Sequence, residues 1–319
     1  MKRFFILIVI NLLFINSFAQ ADNKIVVVDS ITHNAIEYAS IIFTNVIGGT
    51  YSNNKGFILI PQNVEQIELS GIGYYSKKVA LNKNIDTIFL LPQVYEISEA
   101  KVMPAKKRKS VELGYIKQNS TYHMIYKSGD EVAVHIPLTD SEDTYKLIKY
   151  IIMKSGTNIK YTTNINQRTL NIEDINNYLS IFKINFYRAT ENKEIGELIN
   201  TEDIVFTSDV LRNKTKLDVN KYNIYMPDNG IFVAVEFVGK LNPKTDELII
   251  NIKEHIIPSI HVSWKIKNSI VYEKRKFLNS ANNWQRVDKN NEFVKNIKLL
   301  NKELEADSFY TPLISIVLE

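Results

Sequence analysis

A chain of 319 residues, 45% hydrophobic and 23% charged, with 17 Tyr and 15 Phe, has the composition of a folded protein and the length for two domains of roughly 100 to 200 residues each. Its 39 basic and 35 acidic residues give a formal net charge of +4, which offers no global electrostatic case for nucleic acid. Cysteine is absent, which excludes both a disulfide framework and a lipid-modified cysteine.

The first twenty residues, MKRFFILIVINLLFINSFAQ, have a basic start at Lys2 and Arg3, an apolar run from Phe4 to Ile15, and small residues at Ser17 and Ala19. This is the pattern of a secretory signal peptide, residues 1–19, with cleavage expected between Ala19 and Gln20. The apolar run is shorter than the roughly 20 residues of a spanning helix, and no second run of that length follows, so the cleaved chain is not expected to be transmembrane. Losing Lys2 and Arg3 lowers the net charge to +2. Export without disulfides fits a bacterial envelope, either the periplasm or the outer membrane and cell surface.

Residues 20–103 carry short β-rich runs, KIVVVDS, YASIIFTN, GFILIP, VEQIELSGIG, KKVALN and DTIFLLP, broken by Gly, Asn and Asp. Such spacing without a helical period predicts an antiparallel β-sandwich. Gly56 suits a turn with positive φ, Gly71 and Gly73 suit a chain reversal, and Asp29 and Thr32 suit side-chain bonds to turn amides. Residues 104–116 read as an exposed basic linker around Lys106, Lys107, Arg108 and Lys109.

From 117 to 319 longer strands predict a second, larger sandwich of jelly-roll type. In FKINFY, Phe182, Ile184 and Phe186 alternate with Lys183, Asn185 and Tyr187, which reads as a strand with one buried face. One stretch departs from the β pattern. Phe293, Val294, Ile297, Leu300 and Leu304 recur at helical spacing within 288–307, predicting an amphipathic helix packed on the sandwich. The expected fold class is all-β: two β-sandwich domains with one inserted helix.

Residues 24–103 resemble the carboxypeptidase-like regulatory domain common in exported proteins of Bacteroidetes. The resemblance rests on Val28, Asp29 and Thr32, on IEYASI from Ile36 to Ile41, on Gly49, Thr50 and Ser52, on Gly56 and Phe57, on SGIGY from Ser70 to Tyr74, and on the closing LLPQVYEISEAKV. It implies a noncatalytic, transthyretin-like sandwich without zinc chemistry. The same domain fronts many outer-membrane transporters, but a barrel of about 22 strands needs on the order of 200 to 240 residues in strands alone. Only 203 residues follow position 116 of 319, so the transporter reading fails on length. The second half resembles a C-terminal sandwich of unclear role that often follows this domain, through LGY at Leu113, GDEVAVHIP at Gly129, FKINFYRA at Phe182, LDVNKYNIYMPDNGIFVAVEFVG at Leu217 and NNWQRV at Asn282.

No catalytic, cofactor or metal residues are expected. The histidines His33, His123, His135, His255 and His261 form no zinc-binding helix motif, and His135 reads as a packed or surface strand residue. The acidic run TDSEDT, with Asp140, Glu142 and Asp143, fits no calcium loop. GIG at Gly71 is too short for a phosphate or dinucleotide motif. Glu236 lies in the apolar strand VAVEFVG, on a mixed face with Ala234 and Val238 that alternation leaves partly solvated, and it reads as structural. Among Trp264, Trp284, Tyr272, Tyr222 and Tyr225, Trp284 beside Asn282 and Asn283 in a loop is the expected ligand contact, because sugars stack on flat aromatic faces.

The functional expectation is a noncatalytic binding or adhesion module for a glycan or an envelope protein. An assembly partner of an outer-membrane complex is the alternative. A hydrolase with two carboxylates between the domains is a further one.

Overall fold

The computed structural model describes residues 23–82, 85–93, 110–119, 122–123, 126–138, 147–156, 178–208, 214–250, 252, 255–256, 259–278, 283–300, 302 and 304–319. The expected signal peptide with its Ala19–Gln20 cleavage point, the Lys106–Lys109 run, the acidic Asp140–Asp143 run and Asn282 all lie outside the described residues.

The fold is all-β, as expected. Its N-terminal part contains β1 (Asn23–Asp29), β2 (Ser40–Phe43), β3 (Gly49–Tyr51), β4 (Phe57–Ile60), β5 (Gln66–Ser70), β6 (Lys77–Ala80) and β7 (Thr87–Leu90). They form two sheets, in the orders β4-β1-β7 and β3-β2-β5-β6. Ile25, Val27, Ile58, Ile60, Ile88 and Leu90 from the first sheet meet Ile41, Phe43, Ile67 and Leu69 from the second, the inward half of an alternating pattern. One pair departs from the antiparallel expectation: β7 runs parallel to β1, because the chain crosses the second sheet before returning to the first.

The turn chemistry is as read from the sequence. Asp29 Oδ1 accepts hydrogen bonds from the amides of Ile31 at 2.7 Å and Thr32 at 2.9 Å, which holds its pKa below the ordinary value. Gly56 has φ +73°, and a β carbon there would stand 2.6 Å from the Val27 carbonyl oxygen.

The C-terminal part contains β8 (Val111–Gly114), β9 (Tyr122–His123), β10 (Tyr126–Lys127), β11 (Asp130–Ile136), β12 (Ile148–Met153), β13 (Ser155–Gly156), β14 (Leu179–Ala189), β15 (Ile195–Leu198), β16 (Ile204–Ser208), β17 (Thr215–Asp218), β18 (Ile231–Asn242), β19 (Glu247–Ile249), β20 (His255–Ile256), β21 (Ser259–Ser263), β22 (Val271–Arg275), β23 (Gln285–Val287), β24 (Thr311–Pro312) and β25 (Ile314–Leu318). The main sheet has the order β15-β14-β18-β11-β22-β23, with β16 and β19 as further partners of β14 and β18. Its inner face, including Val132, Val134, Phe182, Ile184, Phe186, Val233, Val235 and Phe237, packs on Ile148, Ile151, Ile314 and Ile316 of a sheet ordered β17-β12-β25-β8.

Two expected boundaries change. Val111–Gly114, counted in the linker, is a strand that pairs with β25, because Leu113 joins the apolar core. The helix spans Glu292–Leu300 (α1) rather than 288–307. Its start is fixed by Asn291, whose Oδ1 accepts the Val294 amide at 3.3 Å, while the Asp288 carboxylate takes the Asn290 and Asn291 amides in the preceding turn. Val294 is buried and Ile297 half-buried against the main core, so the helix packs through its apolar face as predicted. No helix among the described residues is long and apolar enough to cross a membrane.

Candidate functional site

On the second face of the main sheet, alternation aligns four charged residues in one cross-strand row. Lys183 on β14 stands opposite Glu236 on β18, Glu236 opposite Glu131 on β11, and Glu131 opposite Lys274 on β22. The next row is Asn185, Ala234, Ala133 and Tyr272 by the same registers. This face was expected to be partly solvated, and that expectation is overturned: Glu131, Glu236, Lys183 and Asn185 are all buried, Glu131 completely. The N-terminal sandwich lies over them. A sequence that shows only alternation cannot distinguish water from a second domain as the cover.

The cover bonds directly to the row. Tyr51 on β3 donates its hydroxyl to Glu236 Oε1 at 2.6 Å, and Lys183 Nζ donates to the Tyr38 carbonyl at 2.6 Å and to Asp203 Oδ2 at 2.9 Å. Tyr38 holds φ +51°, a region that bulky side chains rarely occupy, and its carbonyl is an acceptor for that buried ammonium. Lys276 completes the seam by donating to Glu236 Oε1. Apolar packing surrounds these bonds: Phe277 lies 5.1 Å from the Tyr51 ring, clustered with Tyr38, Ile181 and Val238. Two glycines leave space for it, since a β carbon would reach within 2.1 Å of Phe277 at Gly49 and 2.4 Å at Gly129.

Within the row, Asn185 Nδ2 donates to Glu131 Oε1 at 2.7 Å and Glu236 Oε2 at 3.2 Å. Tyr187 donates its hydroxyl to Glu131 Oε1 at 3.0 Å. The two carboxyls are driven apart electrostatically. Burial acts to raise both, but the Lys276 and Lys183 ammoniums and the Tyr51 hydroxyl hold Glu236 well below the ordinary range. Glu131 is pushed up by burial and by the charge on Glu236. Burial also raises the Tyr51 phenol far above its usual value, so it remains a donor.

This is the pair of carboxylates between domains that a hydrolase reading requires, but the oxygens of Glu236 are taken by Tyr51, Lys276 and Asn185. Sequence reasoning treated Glu236 as structural and left Glu131, Lys183, Asn185 and Lys276 unassigned. The available signal was the apolar company they keep. Ala234 and Val238 flank Glu236 on a face too greasy for open solvent.

Trp284 is half-buried over this face, edge-on to Tyr187 with ring centroids 5.5 Å apart, and Lys274 Nζ stands 5.6 Å from its ring. It packs on the cluster of Ala133, Phe232, Ala234 and Tyr272, so much of its surface serves as cover. Asn283 beside it is exposed. Trp264 and Tyr272 are buried and Tyr225 is exposed. His135 is buried, as one of its two expected placements, with Nε2 3.0 Å from the Asn229 carbonyl. Among the described residues no group of three or more His, Cys, Asp and Glu could hold a metal ion.

Compared with protein-family models, with curated proteins and with solved structures, the chain matches none.

Proposed function

We propose that this chain is a noncatalytic, exported binding protein of a bacterial cell envelope, its two sandwiches joined by a buried polar seam, with a protein or glycan ligand. The observation that carries this reading is the sealed carboxylate row. Acid–base chemistry needs a carboxyl that substrate can approach, whereas Glu131 and Glu236 are both buried, and Glu236 is spent on internal donors, one of which, Tyr51, comes from the other sandwich. The resemblance of residues 24–103 to the carboxypeptidase-like regulatory domain supports a structural rather than chemical role for the N-terminal part, as do its Asp29 and Gly56 turns.

The assembly-partner reading has an observation of its own. The N-terminal sandwich exposes Ile31, Leu59, Phe89 and Leu91, and Leu59 and Phe89 project from the outward face of the β4-β1-β7 sheet, apolar side chains that a partner surface would cover. Crosslinking in the native cell tests the reading, combined with panels of envelope glycans and of ester, peptide and glycoside substrates. Retained ligand or partner with no turnover is expected. Turnover that Glu236→Gln abolishes in a still-folded chain would overthrow it.

A further inference from the structure

Glu131 and Glu236 face each other directly across β11 and β18, and like charges in that position repel. The geometry shows how the repulsion is relieved. Glu131 Oε2 and Asn185 Oδ1 are both buried and both lack a hydrogen-bond partner, although Asn185 Nδ2 is bonded to the other oxygen of the same Glu131 carboxyl at 2.7 Å. Rotating the amide would turn its oxygen onto two carboxyls at once, so its orientation is set. A buried acceptor without a donor is expensive to keep, and here there are two on adjoining groups.

We propose that the pair holds one proton, on Glu131 Oε2, donated to Asn185 Oδ1 so that acid and amide join at two points, and that this proton governs how tightly the N-terminal sandwich is held. One hydrogen thus satisfies both orphaned atoms and removes one of the two opposed charges. The surrounding groups pull both ways: the charges of Lys276 and Lys274 favour an ionised Glu131, and burial and the charge on Glu236 outweigh them. From β18, Glu236 faces Glu131 as a charge already matched by Lys276 and Tyr51. On β14, Lys183 is committed to Asp203 and the Tyr38 carbonyl, while Asn185 and Tyr187 are neutral donors. Next to β22, Lys276 bonds Glu236; within it, Lys274 lies over Trp284 rather than in an ion pair with Glu131, and Arg275 lies nearer Asp130. Burial and the Glu236 charge favour the protonated form of Glu131.

Loss of the proton as pH rises would place a second buried negative charge beside Glu236. That charge competes for Lys276 and strips the donor from Asn185, loosening the seam through which Tyr51 holds the N-terminal sandwich. The device is therefore closed at neutral pH and relaxes on the alkaline side.

The deciding experiment is carbon-detected NMR of the full chain labelled at glutamate side-chain carboxyls. The expected spectrum at neutral pH has one carboxyl in the protonated position while the others are ionised, and Glu131→Gln removes it. A wild-type spectrum with every glutamate ionised at neutral pH overturns the proposal, and this result needs no variant to fold. Melting gives a second arm. Glu131→Gln, whose amide copies the proton by donating to Asn185, should match the wild type in mild acid and exceed it in mild alkali. A Gln variant that loses most in alkali would instead mark Glu131 as an ionised partner of Lys274, and would equally refute the assignment.

Discussion

Tyr51 and Glu236 are 185 residues apart in sequence and share a 2.6 Å hydrogen bond, so each matters far from its own strand. Tyr51→Phe removes a bond to a buried carboxylate and is expected to cost about 1.5–3 kcal/mol. Glu236→Gln leaves the largely buried Lys276 ammonium without the carboxylate it bonds, and should cost roughly 3 kcal/mol. Denaturant unfolding of the two variants checks both values and their order. Gly49→Ala acts on the same seam by shape alone. Its β carbon would overlap Phe277, a crowded site where added volume costs about 1–3 kcal/mol. Because it and Tyr51→Phe disturb one contact, the double variant should lose less than the two single losses combined. Additivity would show that they act separately.

At the scale of elements, strand existence and alternation were legible because they depend on local chemistry. FKINFY and VAVEFVG present their apolar halves to the core as read, and the Asp29 and Gly56 turns follow from side-chain bonding and positive φ at those positions. What could not be read was the cover on the other half of each strand. Lys183 and Glu236 look like the solvated residues of a one-sided sheet until another domain, distant in sequence, supplies Tyr51 and the Tyr38 carbonyl. The helix illustrates the same limit on a smaller scale: its apolar spacing was visible, but its start depends on Asn291, which both accepts the Val294 amide and donates to Glu273 on β22 at 3.3 Å. Asn291→Ala is expected to lose about 1 kcal/mol for the cap, with fraying confined to α1, readable as faster amide exchange there and unchanged exchange in β14 and β18. The neighbours of Trp284 were equally hidden by locality. Its loop position suggested a free aromatic plane, while Tyr187 and Lys274 already occupy its surroundings.

For the whole molecule, the same groups set the response to pH. Glu236 and Asp29 have depressed pKa values, so the stability they contribute is present above the ordinary carboxylate range and is lost as pH falls through their lowered values. Glu131 and Asp130 are shifted the other way, Asp130 to about 6 by burial. Their protonated forms favour folding, so their contribution declines as pH rises from the ordinary carboxylate range, through about 6 for Asp130 and onward for Glu131. Stability should therefore fall on both sides of a maximum, steeply in strong acid and gently toward alkali, as thermal melts across pH will show. Salt should matter little to the buried row, while the exposed Lys55–Asp246 contact at 3.9 Å is screened. The central claim is that the carboxylate row is an interlock between two sandwiches. Amide hydrogen exchange on the full-length Glu236→Gln variant tests it most directly. The account predicts joint loss of protection in β2, β3 and the facing stretch of β14, with the inner core of β12 and β25 still protected; unchanged exchange in β2 and β3 would contradict it.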